Sequence, residues 1–259
     1  NDASTVASSS RPPSRLGDDE ELGIDDDMLR TLTVPHNVDT TEFMYGSGWS
    51  DGFPLVAPTP ARVQRMLLGT ARAPSESLGQ CPPLYGEVTV ERVATNAVMA
   101  GCEPKQLRVV LAATEALLSD AFNLMGVSAT TMGATPCVLV NGPCRAEAGL
   151  NSGVGALGSG TRANACVGRA LKLILQNVGG AVLGGTECAT LGSPAKFSLV
   201  VAEAEESLAS GWVPHAVEEG AQPEESAVTV LAVTALSQLV DFSTRDAYPL
   251  CDLFAAHLA

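Results

Sequence analysis

The side chains best suited to chemistry gather along one stretch. A short apolar run, Cys137-Val138-Leu139-Val140, stops at Asn141-Gly142-Pro143. Gly149, Gly153, Gly155, Gly158 and Gly160 then alternate with Asn151, Ser152 and Ser159 before Thr161-Arg162-Ala163-Asn164. Glycines let a backbone approach a ligand closely, and the first turn of a helix offers unpaired N–H groups at its positive end, which suits an anion or a developing oxyanion. Arg162 in that turn runs against the dipole preference, so a negative partner is expected for it. Gly153-Val-Gly155-Ala-Leu-Gly158 fits the GxGxxG spacing but lacks a strand directly before it, and no Gly-Lys-Ser/Thr follows, so neither dinucleotide nor Walker-type binding is indicated. The competing interpretation is an ordinary glycine-rich surface loop ahead of a capped helix.

Other chemistry is more scattered. Cys102 follows Gly101 at a helix-to-helix corner ahead of Pro104. A thiol over the start of the next helix has a depressed pKa, so Cys102 is expected to be the most reactive thiol, with Cys144 its rival. The ordinary state of a free cysteine is nonetheless a small buried hydrophobe. Asn96, Asn141, Asn151, Asn164 and Asn177 punctuate apolar segments, where an amide needs partners: a polar ligand, or loop backbone. Glu203, Glu205 and Glu206 end a strand pattern, so Glu203 is a candidate general base, although a solvated acidic run is the commoner meaning. His36, His215 and His257 lie far apart without HxH or HExxH spacing, so no histidine metal site is expected.

Helices must position these groups. Thr59 with Pro60 opens a helix to Gly69; Thr89 opens a second that Gly101 ends; Pro104 starts a third reaching Asp120, with a tight corner between the second and third. Strands are expected over 124–131, 137–140, 197–202 and 228–233, a long helix over 161–178 that Gly179-Gly180 ends, and a last helix over 246–258. Helices grouped around paired strands favour an α+β fold, one compact domain over 28–259 with helices on a mixed sheet; a three-layer α/β arrangement is the alternative. Residues 1–27, rich in Ser, Pro and acid, are expected to be a disordered tail or linker.

With 46% hydrophobic residues the chain has material for a sizeable core. Its formal net charge is −14, and that charge is unevenly placed: residues 1–27 carry eight acids and two bases, 28–202 eleven acids and twelve bases, and 203–226 seven acids with no Lys or Arg. A nucleic-acid partner is excluded on charge, whereas a small anion fits the near-neutral body. No apolar stretch is long enough for a bilayer, so no membrane partner is expected. Seven cysteines without paired spacing, and no leader sequence, indicate free thiols in the cytoplasm or another reducing compartment. The opening Asn1 in place of Met suggests a processed product, and no cofactor is named by these features.

Several strings together carry a resemblance: Asp51-Gly-Phe-Pro-Leu-Val-Ala-Pro-Thr59, Asn96-Ala-Val-Met-Ala-Gly-Cys102, Val140-Asn-Gly-Pro143, Gly149-Leu-Asn151, and Arg162-Ala-Asn-Ala165 running into Gly168-Arg-Ala170. Over roughly Trp49 to Val230 the chain resembles a largely uncharacterised bacterial family found beside, or fused to, small thiol or selenol proteins with a UGSC/CGSC motif. The resemblance implies a hetero-oligomer in which a partner supplies the reactive sulfur or selenium. Members tend to carry an aliphatic residue at the position of Cys144 and continue past that of Ala259, so the chain is expected to be an incomplete functional unit.

Three functions follow as expectations. The first is an enzyme subunit whose Asn96, Asn141, Gly142, Asn151, Arg162 and Asn164 hold a small anionic or carbonyl substrate for thiol-dependent redox or nucleophilic chemistry, by Cys102 or a partner's thiol. The second is a lyase or hydrolase using Glu203 in an amide-rich pocket. The third is a non-catalytic scaffold subunit that completes a partner's site.

Overall fold

The computed structural model describes Ser4–Ser8 and residues 30–258. Most of the expected N-terminal tail lies outside the described residues; the part that is described, strand β1 (Ser4–Ser8), pairs antiparallel with β2 (Arg30–Val34). Helices α1 (Thr40–Gly46) and α2 (Pro60–Leu67) follow, then a hairpin of β3 (Ser77–Cys81) and β4 (Gly86–Thr89). Next come α3 (Val90–Ala100), α4 (Leu107–Leu118), α5 (Leu124–Ser128), β5 (Thr135–Asn141), α6 (Cys144–Ala148) and α7 (Arg162–Asn177). The chain closes with β6 (Val200–Ala202), α8 (His215–Glu218), β7 (Ala227–Val233) and α9 (Ala247–Leu258). The architecture is α+β with a mixed three-stranded sheet of order β6-β5-β7, parallel between β5 and β6 and antiparallel between β5 and β7.

Local chemistry accounts for the helix limits. Thr59 accepts from Arg62 N ahead of Pro60, and Thr89 accepts from Arg92 N at the start of α3. Gly101 ends α3 in the left-handed region at φ 91°, a conformation that costs other residues energy. The third helix begins as a 3-10 turn at Pro104–Gln106 before α4. Two expected strands are corrected. Residues 124–131 hold the short helix α5, because Asn123, itself at φ 53°, caps Gly126 N with its side chain; the strand expected over 197–202 begins only at Val200, after a 3-10 turn at Pro194–Lys196.

α3 and α7 form the centre. α3 buries nearly its whole surface, from Val90 through Ala100, and packs against α7, α2 and α4. α7 turns Val167, Ala170, Leu171, Ile174 and Leu175 inward. Gly168 is required by packing: a Cβ there would lie 2.2 Å from Ser198 Oγ and 2.9 Å from Leu199 N, so only glycine lets α7 approach the segment leading into β6 this closely. One cluster of buried apolar side chains runs from Val34 to Ala202. α9, by contrast, has no buried residue.

Candidate functional site

The residues singled out in the sequence fall in three places. The first is where the parallel strands end: Asn141 closes β5, and Glu203 follows β6 with its N–H on Val140 O at 3.1 Å. Asn141 Nδ2 donates to Glu203 and, at 2.9 Å, to Glu205; Gly142 N donates to Glu205 at 2.7 Å. His215 N donates to Glu203 Oε2 at 2.9 Å. At the hub sits Arg145, which sequence reasoning passed over. Its guanidinium donates to Gly142 O at 3.0 Å, to Glu203 O, to Glu205 at 2.7 Å and to Glu206 at 2.9 Å. The available signal was charge: a lone arginine just after the Asn-Gly-Pro turn, in a chain whose 203–206 segment is acidic. Asn141 Oδ1 is buried and takes no hydrogen bond among the described residues.

The second place is the corner between α3 and α4. Cys102 is buried there, and burial, with the Cys166 and Glu103 charges adding to it, pushes its thiol well up, the reverse of the activation expected at a helix start. The corner does not leave the thiol over open N–H groups; it folds it into the core behind Gly101. Arg162 finds its negative partners within the chain: Nε and Nη2 donate to Gly101 O at 3.0 and 2.8 Å, and Nη1 reaches Glu103 at 3.4 Å. Half-buried Cys166 lies one turn along α7, its thiol also raised by burial while the Arg162 and Arg169 charges oppose the shift. All seven cysteines are free.

The third group is the amides, and the structure gives them architectural partners. Asn164 accepts from Asn151 N at 2.9 Å and donates to the carbonyls of Asn151, Ala156 and Val200. Asn151 donates to Val154 O and Thr161 Oγ1 and accepts from Gly153 N. Asn96 donates to Arg92 O and accepts from Asn177 inside the core. Asn96, Asn151 and Asn164 therefore spend their side chains holding loop and helix together, one of the two uses that the sequence left open for them.

Open space lies along the opposite edge of α7, in the seam with residues 195–200. At the mouth, a cavity of about 100 Å³ is lined by Ala156, Leu157, Gly158, Asn164, Ala165 and Ser198–Val200. Past the Gly168–Ser198 contact come two cavities of about 20 Å³ each, both bordered by Thr135, Pro136, Lys172, Leu175 and Lys196. Lys196 donates to Glu187 Oε2 at 2.6 Å and to Ala134 O at 2.9 Å. Half-buried Lys172 has neither hydrogen bond nor ion pair among the described residues, and burial lowers its pKa; the Lys196 charge adds to that shift while Glu187 opposes it. Neither lysine carried a motif that the sequence reading could have used.

No protein-family model, curated protein or solved structure matches this chain. Among the described residues no helix is long and apolar enough to cross a membrane, and no group of His, Cys, Asp and Glu is arranged to hold a metal ion.

Proposed function

We propose that the chain is an enzyme subunit that takes a small anionic or carbonyl compound into the mouth of the α7 seam, for nucleophilic or redox chemistry completed by a thiol or selenol partner. The observation that carries this reading is the cavity of about 100 Å³ between the glycine-rich loop and the first turn of α7, enough for a compound of a few heavy atoms. Thr161 makes no side-chain cap, since its hydroxyl accepts from Asn151, so the positive end of a sixteen-residue helix faces the loop without a competing cap. A partner's sulfur fits the burial of Cys102, and the resemblance to the UGSC/CGSC-associated family points the same way. A surface for that partner is offered by exposed Phe242, Tyr248, Phe254 and Leu258.

A second reading, a lyase or hydrolase with Glu203 as base, draws on one observation: its carboxylate is held by Asn141 and by His215 N–H at the carboxyl ends of two parallel strands, where ligands of open α/β sheets bind. Pyruvate, which is both carbonyl and anion, separates the two. Saturation-transfer NMR should show it binding the unsubstituted chain, and Ala165→Leu, which fills the mouth, should weaken binding at least tenfold while Glu203→Gln leaves it within twofold. Loss of binding in Glu203→Gln alone would move the site to the strand ends, and absence of binding would favour the scaffold reading.

A further inference from the structure

The far end of the seam uses none of the features of its mouth. The chain has three lysines, and two of them, Lys172 and Lys196, border the same pair of cavities. Lys196 is committed to Glu187 and to the Ala134 carbonyl, two of its three N–H bonds. Glu187 is itself buried and also accepts from Ala189 N at 3.0 Å. Lys172 is different: its side chain borders the same cavities, and among the described residues no carboxylate forms an ion pair with it, the Glu187 and Asp51 charges acting on it only from farther off. Desolvation favours the neutral form of an amine, which is the form that attacks a carbonyl.

We propose that Lys172 is an imine-forming nucleophile for a small uncharged aldehyde. The Nζ lone pair adds to the carbonyl carbon, and an N–H proton moves to the carbonyl oxygen to give a carbinolamine. The free N–H of the Lys196 ammonium then protonates the hydroxyl, which leaves as water while the nitrogen lone pair closes the C=N bond. The product is a protonated imine, and neutral Lys196 regains its proton from solvent. Two features select the substrate class. Each cavity of about 20 Å³ has room for one water or a group of similar size, which limits the reacting compound to a single carbon, as in formaldehyde. Glu187 already neutralises Lys196, so the pair offers no surplus cation for a carboxylate on the substrate.

Reductive trapping tests this directly, and with only three lysines the outcome is unambiguous. The full chain is treated at pH 7 with formaldehyde and sodium cyanoborohydride, and methylated lysines are located by peptide mass spectrometry over time. Lys172 should be modified at least tenfold faster than Lys105, whose side chain is about half exposed and paired with Glu103. The rate at Lys172 should level off below the ordinary lysine range. Lys172→Arg, which keeps the cation and removes the nucleophile, should abolish the fast phase without transferring it to Lys196. Modification of Lys105 first, equal rates at all three sites, labelling of Lys196, or no adduct at Lys172 would each overturn the proposal. The readout is independent of pyruvate binding at the mouth.

Discussion

Two cations flank the β5–α7–β6 crossover, and they are treated in opposite ways. At the strand ends Arg145 is wrapped by Glu205, Glu206 and two carbonyls, with side-chain exposure of 10% for the arginine and 15% for Glu205. Across α7, Lys172 is half-buried and, among the described residues, forms no hydrogen bond or ion pair. A buried charge that finds its counter-charge is held in one geometry and is removed only at high cost; one without is shifted towards its neutral form. Saturation marks the strand ends as the clasp of the fold, and the unmet amine beside empty space marks the seam.

Removing the clasp should have the largest effect. Arg145→Met would leave Glu205 and the surrounding carbonyls without their donor, and urea denaturation should show a loss of about 3–5 kcal/mol; a loss under about 1 kcal/mol would erase the contrast. Asn164→Ala comes next. It deletes an acceptor for Asn151 N and a donor to three carbonyls, so stability should fall by about 2 kcal/mol, more than a ligand-selecting surface amide would cost.

The smallest effect belongs to Lys172→Met, which should stay within about 1 kcal/mol of the parent at pH 7 because it replaces an unpaired amine by an apolar chain of similar length. Its signature is the pH dependence. Burial makes the folded chain release the Lys172 proton at lower pH than the unfolded chain does, so the charged amine opposes folding below that point and the opposition fades as pH rises towards the ordinary lysine range. Denaturation between pH 7 and pH 10 should therefore show a gain in stability that the Met variant lacks; equal slopes would mean that the amine is well solvated.

Much of the helical framework was legible because its signals are local. Thr59 with Pro60, and Thr89 with Gly101, mark α2 and α3 through the chemistry of their own neighbours. The stretch after Asn123 reads as a strand from its apolar content, whereas its fate is decided by one residue in the left-handed region. The site was less legible. The sequence showed that Asn151 and Asn164 need partners, but one partner is Val200 O, brought alongside only by the crossover. Cys102 looked activated because its position at a corner is visible in one dimension and its burial is not. Lys172 gave no signal, since its isolation is a property of what fails to pack beside it.

The close approach at Gly168 also partitions the seam. From Asn164 to Lys172 the helix advances eight residues, a rise of about 12 Å, and the Gly168–Ser198 contact lies between the mouth cavity and the inner pair. That span exceeds the length of a two- or three-carbon acid. A molecule seated in the mouth and one joined to the amine would thus occupy separate cavities on either side of Gly168, and neither would displace the other. Saturating the mouth with pyruvate should leave the rate at the inner amine unchanged, and competition between the two would mean that the cavities communicate past Gly168.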